Sequence, residues 1–278
     1  MTDKRTYSTK MNENGNKSGM EEERKSKYML QIKDLDKNFE DNRVLNQINL
    51  HIKKGEFTVI MGQSGCGKST LLYCISGMDR PTAGEVWFDG KELSGLSEKE
   101  MEHLRLERMG FIFQKANLLK NLSIEDNIIY PAFSRIALKK GERRRKEIVQ
   151  EAEALMSRLG ILEIAGQDIR RVSGGQLQRA AICRAMINHP DILLGDEPTG
   201  ALNSSATKEV MDILNAINRE GTTVLLVTHD AKVAARADRV IYLEDGRNKA
   251  ELLLGRYEQT KQEEREEQMK EWLGEMGF

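Results

Sequence analysis

The chain has 278 residues, and its 43 Lys and Arg nearly cancel its 44 Asp and Glu, leaving a formal charge of −1 at neutral pH. Its apolar runs, such as Thr223 to Val227, fall far short of the roughly 20 residues that a membrane-crossing helix needs. The balanced charge removes bulk electrostatics as a reason to expect a nucleic-acid partner, and no direct insertion into a membrane is expected. Cys66, Cys74 and Cys183 are scattered and form no CxxC pair, so neither a disulfide framework nor a zinc site is suggested, and a reducing cytosol is the expected compartment.

The opening segment carries charge with no apolar core after it, which argues against a secretory leader. Residues 1–27 are polar and poor in branched aliphatics, and are expected to be a disordered tail. From Tyr28 the pattern becomes alternating, over LQIKDLDKNF and RVLNQINLHI, and Lys54-Gly55-Glu56 punctuates it before the apolar run Phe57 to Met61. This predicts strands, a turn and a further strand. A Gly-rich loop follows, then helical character from Ser69 to Ile75, then a turn and short strand in PTAGEVWFDG.

Between Leu122 and His189 the periodicity is mostly helical, opening on a capping box at Ser123 to Asp126 and including the charged stretch Gly141 to Leu159. We read this as a helical insertion over about residues 118–189. The chain then alternates again: DILLGD, a helix from Ser204 to Asn218, TTVLLVT, a short helix from Ala231, and RVIYLEDG. Strand and helix in alternation imply a parallel sheet flanked by helices. Residues 256–278 are charge-dense, with Met269, Trp272, Leu273 and Met276 on one helical stripe. That stripe can meet a partner helix, lie on a membrane surface, or pack back on its own domain.

Three motifs carry chemistry. Gly62-Gln-Ser64-Gly65-Cys66-Gly67-Lys68-Ser69-Thr70 fits G-x-x-x-x-G-K-[ST] between a strand and a helix. Its glycines allow a nest of inward backbone N–H groups, the helix points its positive end at phosphate, Lys68 reaches the β- and γ-phosphates, and Ser69 suits Mg²⁺. Asp191 to Glu197 is an apolar strand ending in two acids. Asp196 suits Mg²⁺ through water, and Glu197 suits orienting or deprotonating an attacking water. Val172-Ser173-Gly174-Gly175-Gln176 opens another helix and offers a second phosphate site, which a second copy packed head-to-tail could supply.

In this order, the P-loop, Gln114 at the end of GFIFQ, VSGGQ, ILLGDEP and His229 after LLVT resemble the ATP-binding subunit of ABC transporters. The resemblance runs from about Met29 to Gly255, and a domain over residues 28–255 is expected. It implies an α/β P-loop NTPase fold of ABC type: a mostly parallel sheet with an antiparallel β portion and an inserted α-helical subdomain. It further implies ATP and Mg²⁺ as cofactors and a Mg-dependent ATPase activity. Phe39 takes the place of an aromatic that stacks on adenine, the alternative being a core aromatic on a strand. Gln114 contacts Mg²⁺ or the attacking water, and Ser69 and Asp196 complete the metal set. Ser173, Gly175 and Gln176, with Gly174 between them, contact the γ-phosphate of ATP held by the opposite subunit. Glu197 is the general base and His229 bonds the γ-phosphate.

Where the family usually has Asp at the end of Gly200-Ala201-Leu202-Asn203, this chain has Asn, which puts crosstalk between the two ATP sites in doubt. The stretch GEVWFDGKELSGLSEKEMEHLRLERMGFIFQKANLLKNLSIEDNI, with DEPTGAL, is similar to the branch containing macrolide exporters, lipoprotein-releasing systems and bacitracin-type antimicrobial-peptide resistance transporters. That branch implies a homodimer on the cytoplasmic face of the membrane, held there by an integral membrane permease that docks between Gln114 and Arg135. Peptide or antibiotic export, resistance, or extraction of an amphiphile is the implied work. The rival reading is a soluble ABC-type ATPase with a non-transport partner, of the cell-division or cofactor-assembly type.

Overall fold

The computed structural model describes residues 27–138 and 145–277. The expected disordered tail lies outside them except for Lys27, whose carbonyl accepts a hydrogen bond from the Lys54 N–H at 3.2 Å. The Gly141 end of the charged stretch also lies outside them.

In chain order, β1 (Tyr28–Phe39) and β2 (Asn42–Lys53) pair antiparallel. Their alternation buries Leu30, Ile32, Ile48, Leu50 and Ile52 and turns Gln, Asn, His and Lys outward. β3 (Phe57–Met61) is buried throughout and leads through the glycine loop into α1 (Lys68–Ile75). β4 (Ala83–Phe88) returns to the first sheet and, with β5 (Lys91–Glu92), gives the order β2-β1-β4-β5.

Next comes α2 (Glu98–Arg108), an element the sequence pattern did not announce because Met101 is its one buried residue. Its cap is nevertheless written locally: the Ser97 hydroxyl accepts from the Glu100 N–H, and the Glu100 carboxylate accepts from the Ser97 N–H at 2.9 Å. β6 (Met109–Phe113) then enters the second sheet.

The helical insertion contains α3 (Ile124–Leu138), α4 (Arg145–Arg158) and α5 (Gly174–Met186), whose Ile128, Ile148, Ala152, Met156 and Ile182 share one core. At the expected capping box, the Ser123 hydroxyl accepts from the Asp126 N–H at 3.0 Å and donates to the Asp126 carboxylate at 2.7 Å. The remaining chain gives β7 (Ile192–Asp196), α6 (Ser204–Arg219), β8 (Thr223–Val227), α7 (Ala231–Ala234), β9 (Arg239–Glu244), β10 (Arg247–Leu253) and α8 (Gln262–Glu275).

The second sheet has the order β10-β9-β3-β8-β7-β6 and is parallel apart from β10, which runs antiparallel on β9. Period-two alternation sorts its side chains between two cores. Phe57, Val59, Met61, Leu193, Leu226 and Tyr242 face α3 to α6 and α8, whereas Ile60, Leu194, Val227 and Ile241 face α1 and the antiparallel sheet. α8 packs on the first of these cores through buried Met269 and Leu273, and the Trp272 ring meets Tyr242 edge-on at 6.1 Å.

Candidate functional site

Strand register decides where the motif residues meet. Phe113 of β6 pairs with Asp196 of β7, Asp196 with Val227 of β8, and Val227 with Ile60 of β3. These strands are parallel, so the chain leaves all of them at one edge of the sheet. Gln114, Glu197, His229 and the loop from Gly62 lie one or two residues beyond that row. Open parallel sheets bind their ligands at this carboxyl edge.

The loop after β3 takes its shape from glycine. Gly62 has φ 152°, and a Cβ there would stand 2.1 Å from the Leu243 carbonyl oxygen. Gly67, at φ 101°, is hemmed in less tightly: a Cβ there would stand 2.9 Å from the Leu45 side chain and 3.0 Å from the Val44 carbonyl oxygen. Left-handed glycines let successive N–H groups point into one hollow, and the first-turn N–H groups of α1, on Lys68, Ser69 and Thr70, add donors that have no partner within the helix. Lys68 is buried, and its ammonium donates to the carbonyls of Gly62 and Gln63 at 2.8 Å each. The loop is therefore wrapped around its own cation. Ser64 and Gly65 form the exposed crown, and half-buried Cys66 has its sulfur 4.0 Å from the Lys68 ammonium. Burial pushes the Cys66 thiol up, against the pull of Lys68, which suits a filler and not a nucleophile.

At the second residue of α1, the Ser69 hydroxyl donates to Asp196 Oδ1 at 2.7 Å, joining the glycine loop to β7. The Tyr73 hydroxyl donates to the other oxygen, Oδ2, at 2.8 Å. Sequence reading missed Tyr73; the signal available was its four-residue spacing from Ser69, which sets both on one helical face. Burial, then the bond to Asp196, pushes the Tyr73 phenol up to about 12. Ser69 and Asp196 are oxygen donors of the kind Mg²⁺ accepts, and they already sit within one coordination radius of a shared point. Among the described residues there is no group of three or more His, Cys, Asp and Glu that could hold a metal ion.

Beside them, Glu197 Oε1 lies 2.9 Å from His229 Nδ1. A Cβ on Gly200 would stand 2.9 Å from the Gln114 amide nitrogen and 3.3 Å from Glu197 Oε2, so the absence of that side chain lets Gln114 and Glu197 share one space. Asn203 is engaged locally, its Oδ1 accepting from the Ala206 N–H at 2.9 Å as the cap of α6.

Two expected members stand apart. Ser173 caps α5 in a reciprocal pair with Gln176: the Gln176 N–H donates to Ser173 Oγ at 3.3 Å, and the Ser173 N–H donates to Gln176 Oε1 at 2.9 Å. Gly174 and Gly175 open that helix, with Gly175 against Ala206. Among the described residues no hydrogen bond or ion pair joins residues 173–176 to residues 62–70. Phe39 ends β1 at 49% exposure, which excludes a core role, and the Lys37 ammonium lies 4.7 Å from its ring centroid. A cleft of about 350 Å³ between Arg43, Val44, Gln63, Ser64 and Asp245 runs alongside the loop.

A glycine loop closed on a buried lysine, tied through serine to a strand-end aspartate and set in a mixed fold with a helical insertion, defines a P-loop protein of the ATP-binding cassette class. The family model described as ABC transporter matches residues 45–200, and the chain belongs to that family. The macrolide export ATP-binding/permease protein MacB of Agrobacterium fabrum is 45% identical over 204 residues, covering 73% of this chain and 31% of that protein. MacB of Rhodopseudomonas palustris is 47% identical over 202 residues, covering 73% and 30%. The chain thus spans about a third of the length of these curated relatives, and its likeness to the macrolide-exporter branch holds. Among solved structures, the dimeric post-hydrolysis state of the ATP-binding cassette MJ0796 bound to ADP and Pi has a TM-score of 0.76 and 36% identity, covering 82% of this chain and all of that one, 100%. The cbiO1 structure from Clostridium perfringens, part of the ABC transporter complex cbiONQ, has a TM-score of 0.72 and 30% identity, covering 81% and 88%.

Proposed function

We propose that the chain is a Mg-dependent ATPase subunit that closes on a second copy of itself and drives a separate membrane permease. The observation that carries this is the Glu197–His229 contact at 2.9 Å beside the Ser69–Asp196 bond at 2.7 Å, both at one sheet edge next to the Lys68 loop. ATP fits the loop with its β- and γ-phosphates on the backbone N–H groups of residues 65–70 and on Lys68, which exchanges its carbonyl partners for phosphate oxygens. Ser69 and Asp196, with Gln114, would hold Mg²⁺, whose charge offsets that of the phosphates. Glu197 orients the attacking water and takes its proton, and His229 fixes the Glu197 carboxylate and bonds the γ-phosphate. Phe39, open to solvent at the end of β1, offers its face to adenine.

Residues 173–176, which among the described residues have no hydrogen bond or ion pair to residues 62–70, are proposed to act on the ATP of another copy. Ser173, Gly174, Gly175 and Gln176 of each copy then meet the γ-phosphate on the other, a head-to-tail arrangement that closes on two ATP molecules. The MJ0796 cassette, whose solved structure is dimeric with ADP and Pi bound, supports dimerisation.

The permease contact is proposed at a groove of about 400 Å³ lined by Met78, Met109, Phe111, Phe113, Asn117 and Pro131. The Phe111 and Phe113 rings stack there at 6.2 Å between centroids. The lining takes in residues on both sides of Gln114, and within the expected stretch to Arg135 the apolar side chains of Leu119 and Tyr130 are exposed. Among the described residues no helix is long and apolar enough to cross a membrane, so attachment to the cytoplasmic face is proposed to run through the permease. Likeness to the macrolide export protein MacB supports antibiotic export as the driven work, while peptide export or extraction of an amphiphile is proposed from the sequence resemblance alone. Affinity purification of the full chain from detergent-solubilised membranes tests the partner. An integral membrane permease should be retained and then lost on Phe111→Asp, whereas retention of ribosomes without a membrane protein, or binding indifferent to Phe111→Asp, overturns the reading.

A further inference from the structure

Nothing in the proposed reaction uses the Tyr73 hydroxyl, yet it is bonded to a carboxylate at the centre of the site. Ser69 and Tyr73 approach Asp196 from one helical face, four residues apart, and divide its oxygens: Oδ1 accepts from Ser69 at 2.7 Å and Oδ2 from Tyr73 at 2.8 Å. A carboxylate held through a single oxygen can swing about its last side-chain bond. Held through both, it keeps one plane and still has a free lone pair on each oxygen.

The anchor itself is fixed. Tyr73 lies between buried Leu72 and Cys74, and its carbonyl accepts from the N–H groups of Met78 and Asp79 at 3.0 and 3.1 Å and from the Ser76 hydroxyl at 3.0 Å. These bonds close the end of α1 around the residue that carries the phenol. Ser69 has a second task, because an oxygen lone pair of the same hydroxyl is the one expected on the cation. Tyr73 has no such second task, and with Ser69 it is a side-chain donor to the Asp196 carboxylate among the hydrogen bonds of the described residues.

We propose that Tyr73 is a positioning residue for the metal site: its hydroxyl sets the plane of the Asp196 carboxylate and thereby the affinity for the divalent cation that accompanies the nucleotide. This rests on the Mg-dependent reading of the site. Groups that hydrogen-bond a metal-binding side chain commonly change metal affinity by about 10- to 100-fold.

The test is Mn²⁺ binding, followed by electron paramagnetic resonance, to the full chain in the presence of a non-hydrolysable ATP analogue. For Tyr73→Phe the Mn²⁺ dissociation constant should rise about tenfold, while binding of the analogue in EDTA stays within about twofold of the parent. Tyr73→Leu should give a similar rise, and if Tyr73→Phe melts early, unchanged Mn²⁺ affinity in Tyr73→Leu still overturns the proposal. Mn²⁺ affinity unchanged in Tyr73→Phe, or a loss confined to Tyr73→Leu, overturns the proposal, since the ring and not the hydroxyl would then matter. Asp196→Asn separates the two levels of the reading. If that variant also keeps parental Mn²⁺ affinity, the metal site itself fails; if it loses affinity while Tyr73→Phe does not, only the role of Tyr73 fails.

Discussion

The Glu197 carboxylate and the His229 imidazole meet at 2.9 Å, and Glu197 reaches that contact through a left-handed backbone with φ 47°. For a residue with a Cβ this conformation costs about 1–2 kcal/mol. Two bonds offset it: the Glu197 N–H donates to the Val227 carbonyl and the Glu197 carbonyl accepts from the Gly200 N–H, both at 3.0 Å. Strain of this kind persists where the surroundings impose it, and here it accompanies the turn at the end of β7 that brings the acid to His229, two residues beyond β8.

Glu197→Gln preserves that shape and removes the base. Turnover should fall by about 10²- to 10⁴-fold, with ATP binding intact and an ATP-dependent dimer accumulating in size-exclusion chromatography. Phosphate release at the parental rate would remove Glu197 from the role of base.

The glycine loop allows a finer comparison, because Gly62 and Gly65 both have positive φ but differ in surroundings. A Cβ at Gly62 meets backbone oxygen at 2.1 Å, whereas a Cβ at Gly65 has nothing within 4 Å. Gly65→Ala should therefore cost about 1 kcal/mol of conformational strain. Gly62→Ala should cost more than about 2 kcal/mol and lower Tm by roughly 4–8 °C, and it should abolish ATP binding by moving the loop away from Lys68. Equal melting curves for the two variants would show that close packing on Leu243 does not shape the loop.

Acid stability has a local origin near β4. Burial raises the Asp89 carboxyl, but hydrogen bonds from Lys54 and Arg108 outweigh it and hold the group below the usual carboxylate range. Lys54 and Arg108 each approach Asp89 at 2.7 Å. A folded-state pKa below the unfolded one contributes stability above the unfolded value and loses it as pH falls through the folded value. Asp89→Asn should therefore melt below the parent at neutral pH, and the gap should close as pH falls through the lowered pKa of the folded carboxyl, where the parent becomes protonated too. Thermal melts at stepped pH check this; a gap that stays constant into acid would exclude the charge as its source.

The chemistry of the site was legible because its motifs are local. Glycine spacing, a lysine and a hydroxyl at fixed offsets, and acids at a strand end each reflect a backbone constraint that a short window contains. Tyr73 escaped because an aromatic on a helix between apolar neighbours reads as core, and only the fold brings Asp196 to its hydroxyl across 123 positions of sequence. Helix α2 escaped for the opposite reason: with Met101 alone buried it has no apolar stripe, although Ser97 and Glu100 spelled its cap. The groove around Phe111 and Phe113 was legible only in its later part, since its lining comes from four separated stretches of chain.

Arg265 was the least legible, being one charge in a run of charges. In the folded chain it is 5% exposed, and its guanidinium donates to the carbonyls of Ala235 at 2.7 Å, Leu254 at 2.8 Å and Ala237. Ala235 caps the C-terminal end of α7, whose other end is capped by Asp230, the residue after His229. α8 thus ties down the far end of the element that begins at the histidine. Arg265→Met retains the apolar stem but leaves buried carbonyls without a donor, at about 1 kcal/mol each, so a loss of about 3 kcal/mol is expected. That corresponds to a fall in Tm of roughly 6–12 °C. Arg265→Lys, with one ammonium that cannot span carbonyls on two sides, should recover less than half of it. If Arg265→Met melts with the parent, α8 is held by Met269, Trp272 and Leu273 alone, and the guanidinium contributes nothing to the register of α7.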